Sequence, residues 1–332
     1  MHMKKIFTIL FISMVSFQGI LSRSIIDMAG RPVILPDTIN RVLPYDPKTS
    51  ILVFPVIGNK MIATSMLPGK KNFKYISKAY TELPEVDVKN IEEVLTYSPQ
   101  VIIAGFYNKN DKNETVFSLG KRLNIPVVLI DLSIDKMDKT YMFLGELFNK
   151  DSKPFVSFLQ GVYKDIALLK KVHGPVITTV YYTLGPDGLL TDPSGSKHTE
   201  VFDYLNIPNA ANVEIPSGGH AQVNLEQVLM WNPGYIFTSA FRGENSAYST
   251  ITNDTKWKSI NAVKNNNVYK VPVQPMGWFD HPPSINRVSG LLWLCKIFYN
   301  ADDNDIKDKI CMFYSLFYQY NLKPEEYYLL FN

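Results

Sequence analysis

Histidines are the side chains of this sequence best suited to bind a metal. Nickel, copper, iron and zinc all accept imidazole as a ligand. Beyond the first few residues the chain has His173, His198, His220 and His281. His173 ends a predicted helix, where a positive charge is favourable, so we interpret it as structural. The other three fall in predicted loops and are candidate ligands, although each is equally compatible with an ordinary polar loop residue.

The same loops are rich in aromatic side chains and contain one arginine. The planar donor fork of Arg242 suits a carboxylate or catecholate oxygen, although a solvated loop arginine is the alternative. Trp278 and Phe279 either cover the apolar body of a ligand or pack against the prolines that follow them. We therefore predict a ligand-binding set made of Tyr45, Phe106, Tyr107, Tyr182, His198, His220, Arg242, Trp278, Phe279 and His281.

Catalytic motifs are missing from the sequence. It contains no HExxH, no GxSxG and no pair of histidines four positions apart. A zinc-dependent hydrolase built from the three loop histidines and Asp280 is therefore a remote alternative. A protein that binds its ligand without transforming it is the better interpretation.

Length and composition favour a globular protein of two lobes. The chain has 332 residues, which exceeds the size at which single cores stop growing. It is 46% hydrophobic, and its net charge of +3 without a basic cluster argues against a nucleic-acid partner. The two cysteines, Cys295 and Cys311, either pair in a disulfide or serve as small buried residues.

The N-terminus has the layout of a secretory signal. Lys4 and Lys5 precede an apolar run at 6–17, and small residues follow at Ser22 and Ser24. The run is shorter than a membrane-spanning helix requires, which disfavours a retained anchor. No cysteine near this region offers a site for lipid attachment. We predict a signal peptide at 1–23 and a periplasmic mature protein, given a bacterial source.

Two segments that begin 134 positions apart have nearly the same pattern. Residues 90–105 read NIEEVLTYSPQVIIAG and residues 224–239 read NLEQVLMWNPGYIFTS. In each, an Asn suits a helix N-cap, a Glu lies in the first turn, and a Pro separates the helix from an apolar strand. Each copy therefore predicts a helix and a buried parallel strand of an α/β lobe.

A single long helix is predicted between the two copies. Apolar residues recur at helical spacing from Phe155 to Leu169, Pro154 lies near the start, and Gly174 follows the end. The predicted organisation is a signal peptide, two α/β lobes, a linker helix and C-terminal helices, at 1–23, 24–149, 150–174, 175–280 and 281–332. We expect mostly parallel, Rossmann-like sheets in both lobes and a ligand cleft between them.

These features together resemble a known family. GPDGLLTDPSGSKHTEVFDYLNIPNAAN, VNLEQVLMWNP and GWFDHPPSINR are similar to segments of the helix-linked periplasmic substrate-binding proteins, which serve ABC importers of iron-siderophores, haem and cobalamin. The resemblance covers the chain from about Ser24 to the end. It implies a transported ligand in the cleft, no intrinsic cofactor, and a membrane permease with its ATPase as partners of a monomeric protein.

The resemblance also implies roles for individual residues. Glu92 and Glu226, one on each lobe, correspond to the glutamates that dock on the permease, although both also suit the first turn of a helix. His220, and after it His281, lie in segments that line the cleft in the family and are the expected contacts to a metal. We expect an iron-siderophore as the ligand, with a nickel or cobalt complex as the alternative.

Overall fold

The structure is a computed structural model that describes residues 22–107, 113–216, 219–240 and 246–331. Arg242 and the first 21 residues of the predicted signal peptide lie outside the described residues. Strand β1 begins at Ser22 and so includes the last two residues of the predicted signal peptide. No helix in the described part of the chain combines the length and the apolar character needed to cross a bilayer.

The first lobe is built on three parallel strands in the order β3-β4-β5. A separate antiparallel pair, β1 with β2, precedes them. The elements of this lobe are β1 (Ser22–Ile26), β2 (Pro32–Pro36), β3 (Val42–Pro44), α1 (Pro47–Ile57), α2 (Lys78–Thr81), α3 (Ile91–Thr96), β4 (Val101–Phe106), α4 (Glu114–Leu123), β5 (Val127–Asp131) and α5 (Met137–Phe148).

The linker helix α6 (Lys153–His173) leads into a second lobe with a five-stranded sheet. The strand order is β10-β9-β6-β7-β8. Strands β10, β9 and β6 pair in parallel, and β7 pairs antiparallel with both β6 and β8. The remaining elements are β6 (Val180–Leu184), β7 (Leu190–Thr191), α7 (Glu200–Leu205), β8 (Ala221–Gln222), α8 (Leu225–Trp231), β9 (Tyr235–Ser239), α9 (Tyr248–Asn253), α10 (Asn261–Lys264), β10 (Val268–Lys270), α11 (Arg287–Tyr299), α12 (Asp303–Phe317) and α13 (Pro324–Leu329).

The repeated segment forms the same unit in both lobes. The side chain of Asn90 accepts a hydrogen bond from the backbone N–H of Glu93 and caps the N-terminus of α3. The buried strand β4 follows this helix. Asn224 caps α8 in the same way, and Gln227 completes a capping box before β9. The alternation of helix, proline and apolar strand thus predicted both units correctly, because capping and burial are local properties of these segments.

The C-terminal helices fasten the linker helix to both lobes. Phe317 on α12 packs its ring 5.5 Å from Phe155 and 5.8 Å from Phe158 of α6, and 5.3 Å from Tyr141 of the first lobe. One continuous cluster of buried side chains runs from the first lobe through α6 into the second. Because close-packed interiors resist deformation, this cluster limits how far the lobes can move relative to each other.

Both cysteines are free thiols. Cys295 is buried in α11, and burial raises the pKa of its thiol to about 12. Cys311 on α12 is partly exposed, and burial again raises its pKa. Of the two interpretations left open by the sequence, the structure agrees with small residues packed on separate helices.

The aromatic contact on α12 gives a first prediction. Phe317→Ala removes a fully buried ring from the junction of α5, α6 and α12, so we expect the free energy of unfolding to fall by about 3–5 kcal/mol. Urea denaturation followed by circular dichroism measures this change. Met312→Ala on the same helix is the control, since Met312 is 56% exposed and we expect its loss to cost under about 0.5 kcal/mol. Equal losses in the two variants would contradict the role of this junction.

Candidate functional site

Strand register brings an acidic residue beside a histidine in the second lobe. Thr191 of β7 pairs with Thr183 of β6 on one side and with Ala221 of β8 on the other. One position further along, Asp192 therefore lies between Tyr182 and His220. Directly opposed residues share a face of the sheet. Asp192 Oδ1 accepts a hydrogen bond from His220 Nδ1 at 2.7 Å.

Asp280 is the centre of a second hydrogen-bonded group. Its carboxylate is 1% exposed and has three partners from different segments. Tyr182 donates its hydroxyl to Oδ1 at 2.7 Å, His281 Nδ1 lies 2.6 Å from the same oxygen, and His198 Nδ1 lies 3.2 Å from Oδ2. Because a buried charge is costly without partners, these contacts stabilise the ionised carboxylate and fix the orientation of both imidazoles.

Burial and charge shift the pKa values of these groups in different directions. Burial alone would raise the pKa of Asp280, but the positive charge of His281 and the hydrogen bonds from the two histidines lower it well below its usual value. Burial raises the pKa of Asp192, although His220 opposes the shift. Burial lowers the pKa of His281, but the neighbouring charge of Asp280 and its hydrogen bond outweigh that effect and raise it.

The three imidazoles form a compact group, which we call the histidine trio (His198, His220 and His281). The ring centres lie 5.0, 5.8 and 6.1 Å apart. Each Nδ1 faces an aspartate, so in the neutral imidazole the lone pair is on Nε2. Ligand atoms of Asp192, His198 and His220 lie within 4.8 Å of one another, as do those of His198, Asp280 and His281. Each of these two groups is a candidate site for a metal ion.

Asp192 has a further property expected of a ligand-binding group. Its side chain has no solvent exposure, yet its Oδ2 atom makes no hydrogen bond to any residue in the described part of the chain. A buried carboxylate oxygen without a partner is unfavourable in the absence of a ligand. Asp192 is thus a candidate contact to a ligand. The sequence motifs do not identify this residue, since a single Asp after a short strand carries little signal in a sequence.

The histidine trio lies close to the first lobe. The hydroxyl of Tyr107 donates to the carbonyl of Pro283, two residues after His281, at 2.5 Å. The hydroxyl of Ser284 donates to the carbonyl of Lys48 at 2.7 Å, and the ammonium of Lys197 lies 4.7 Å from the centre of the Tyr107 ring. Tyr107, directly after β4, therefore contacts the segments that carry His198 and His281.

A cavity of about 450 Å³ is lined by residues of both lobes. The first lobe contributes the loop at 66–69 and Lys71, and the second contributes the ends of β9 and β10. His281 forms part of the wall. The described residues thus place His281 of the histidine trio at a cavity between the lobes, where a small molecule has room.

Several predicted ligand residues are core residues. Trp278 and Phe279 have no exposed surface and pack around Trp293, with ring centres 6.3 and 5.7 Å away. They therefore cannot cover a ligand in this structure, which corrects that expectation. Phe106 is also buried, at the end of β4. Tyr182 is buried too, and its role is to hold Asp280, whereas Tyr45 and Tyr107 keep partial exposure.

The physical reason for this correction is the same for all four buried residues. Phe106 and Tyr182 lie within strands, whereas Trp278 and Phe279 lie in the loop between β10 and α11. In all four positions the aromatic ring contributes a large apolar surface to the core. Composition and order along the chain do not reveal which face of the backbone a side chain occupies. The contacts of Asp280 with Tyr182 and His198 join segments that are distant in the chain, so the sequence does not reveal them.

Comparison with known proteins agrees with this architecture. A family model described as Periplasmic binding protein matches residues 56–275, which is well over half of the chain. The chain belongs to the periplasmic binding protein family. Members of this family bind substrates, and this protein is accordingly a two-lobed substrate-binding protein with a long linker helix.

Individual relatives differ in what they bind. The molybdate-binding protein MolA of Haemophilus influenzae is 26% identical over 98% of this chain and 99% of its own length. An ABC transporter solute binding protein from Sulfurospirillum deleyianum superposes with a TM-score of 0.80 at 25% identity, over 93% of this chain and 99% of its own. CeuE of Helicobacter pylori, solved with a nickel–histidine complex, has a TM-score of 0.65 at 14% identity over 93% and 99% of the two chains, which shows the shared fold alone.

The hydrogen bond from Tyr182 to Asp280 gives the second prediction. Tyr182→Phe removes a donor from a buried carboxylate, so we expect the free energy of unfolding to fall by about 1.5–3 kcal/mol. Urea denaturation measures the change. Tyr328→Phe is the matched control, because Tyr328 is 52% exposed on α13 and we expect no measurable effect there. A Tyr182→Phe protein as stable as the wild type would show that Asp280 does not depend on this hydroxyl.

Proposed function

We propose that this periplasmic binding protein is the solute-binding component of an ABC importer and that its cargo contains a transition-metal ion bound by the histidine trio. The observation that carries the proposal is the orientation of His198, His220 and His281, whose Nδ1 atoms all face buried aspartates. This pattern is typical of metal-binding histidines, in which an outer carboxylate orients the ring and makes the ligating nitrogen more basic.

The geometry favours a nickel or cobalt complex over the iron-siderophore expected from the sequence. Imidazole nitrogens suit nickel, copper and zinc, whereas a siderophore surrounds ferric iron with its own oxygen donors and needs aromatic or cationic walls around it. Two of the aromatic residues assigned to such walls, Trp278 and Phe279, are buried in the core. A metal ion with open coordination positions, either bare or partly chelated, makes better use of three imidazoles.

Molybdate is the second candidate, and the similarity to MolA along nearly the whole chain favours it. Protonated imidazoles donate hydrogen bonds to an oxyanion, so the same histidines are able to serve this ligand in their charged form. Against it, the carboxylates of Asp192 and Asp280 lie within hydrogen-bonding distance of these rings and repel an anion. The charge of the cargo therefore separates the two candidates.

Titration calorimetry of protein stripped of metal provides the third prediction. We expect nickel chloride or nickel–histidine to bind, and His220→Ala to weaken that binding by at least about tenfold, since even indirect partners of metal ligands contribute on that scale. His173→Ala is the control, because His173 lies exposed at the end of α6 and we expect unchanged affinity. Binding of molybdate but not of nickel would contradict the metal proposal and support an oxyanion ligand. Binding of a ferric catecholate alone would support an iron-siderophore ligand.

Two surface glutamates support the proposed partnership with a permease. Glu92 lies exposed in the first turn of α3 and Glu226 lies exposed in the first turn of α8, at equivalent positions of the repeated unit. Exposed apolar residues accompany them, among them Leu95 and Met230. A carboxylate on each lobe beside an apolar surface is suited to a partner with two similar halves.

Charge reversal at these positions is the fourth prediction. We expect the double variant Glu92→Lys and Glu226→Lys to bind cargo with unchanged affinity but to lose cargo uptake into vesicles that contain the cognate permease and ATPase. Unchanged uptake would mean that the two residues serve only their own helices. Reversal of Glu146 and Glu325, which are also exposed, is the matched control and should leave uptake intact.

A further inference from the structure

A buried arginine connects the two lobes through its hydrogen bonds. Arg287 is the first residue of α11 and has no solvent exposure. Its guanidinium pairs with the carboxylate of Glu200 on α7. It also donates to the carbonyl of Leu132, in the first lobe, at 2.5 Å and to the carbonyl of Ser284 at 3.0 Å.

Glu200 extends the connection through its second oxygen. The backbone N–H of Ile134, in the first lobe, donates to Glu200 Oε1 at 3.0 Å. The carbonyl of Ile134 accepts a hydrogen bond from Tyr163 of the linker helix at 2.5 Å. The hydrogen bonds around this ion pair thus link the first lobe, the linker helix and the second lobe.

The position of the Arg287 side chain is unfavourable for the stability of the fold. A positive charge at the start of a helix opposes the helix dipole, and complete burial removes the charge from water. Glu200 compensates, and it stands at the start of α7, where a negative charge is favourable. An apolar pair of similar volume would usually be at least as stable in such a place. Stability alone therefore does not account for this pair.

The pair is adjacent to three parts of the candidate site. Glu200 follows His198 by two residues, and Arg287 follows His281 by six. The Arg287 guanidinium also lies 5.6 Å from the centre of the Tyr107 ring, the aromatic residue of the first lobe that contacts Pro283. Both charged side chains therefore belong to the chain segments that follow His198 and His281.

We propose that Arg287 and Glu200 are positioning residues, which hold the loops of His198 and His281 against the first lobe at the separation that the cargo requires. Neither side chain touches the cargo. The pair acts through the histidines and through Tyr107, because the rigid guanidinium donates to acceptors on both lobes at once. The proposal rests on the proposed metal-binding function, but its effect on the histidines exists without metal.

The experiment uses the full mature chain and nickel chloride as the probe. Arg287→Lys keeps the positive charge but loses the planar set of guanidinium donors. Glu200→Gln keeps the shape of the side chain but loses its negative charge. We expect each variant to bind nickel at least tenfold more weakly in titration calorimetry, measured well below its melting temperature. We also expect the imidazole resonances of His198 and His281 to shift in nitrogen-15 NMR spectra of the metal-free protein, while that of His173 stays in place. Asp165→Asn, which removes the ion pair between α6 and Lys309, is the control and should change neither measurement.

A double variant separates positioning from stability. Arg287→Met combined with Glu200→Leu replaces the pair by apolar side chains and should keep the melting temperature near that of the wild type. We expect its nickel affinity to remain at least tenfold weaker and its histidine resonances to remain shifted. Wild-type affinity and wild-type resonances in this variant would overturn the proposal. If the wild type itself does not bind nickel, the proposed function fails, and the resonances of the metal-free variants then decide the positioning role independently.

Discussion

A negative charge inside a protein must be surrounded by donors and positive charges, and in this molecule that requirement organises the candidate site. Asp280 is almost completely buried, and its oxygens contact one hydroxyl and two imidazoles that come from three separate segments of the second lobe. Those contacts determine which nitrogen of each of the two rings faces the carboxylate. The orientation of His198 and His281 is thus a consequence of stabilising one charge.

The two lobes are joined more tightly than a flexible hinge would allow. Apolar packing of α5, α6 and α12 forms one side of the junction, and the hydrogen bonds around Arg287 form another. A cleft between lobes held in this way has most of its shape before a ligand arrives. Preorganisation of that kind lowers the entropic cost of binding, so affinity depends mainly on how well the cargo fits the existing groups.

Relatives with the same architecture bind chemically different cargo. The names of similar proteins include molybdate, haem and a nickel–histidine complex. The fold supplies two lobes and a cleft, whereas the side chains at the ends of the strands select the ligand. In this chain the candidate site combines imidazoles with buried carboxylates. Those groups are the basis of the proposed preference for a metal ion.

The sequence by itself determined the α/β lobes, the repeated helix-and-strand unit and the linker helix, because capping residues, prolines and apolar periodicity act within a few neighbouring positions. It also placed the histidines in loops near the cleft. It did not reveal that Trp278 and Phe279 face the core, that Asp192 lies beside His220, or that Arg287 meets Glu200. Each of those facts joins residues distant in the chain, and only the packing of strands, helices and lobes decides which side chains then share one buried space.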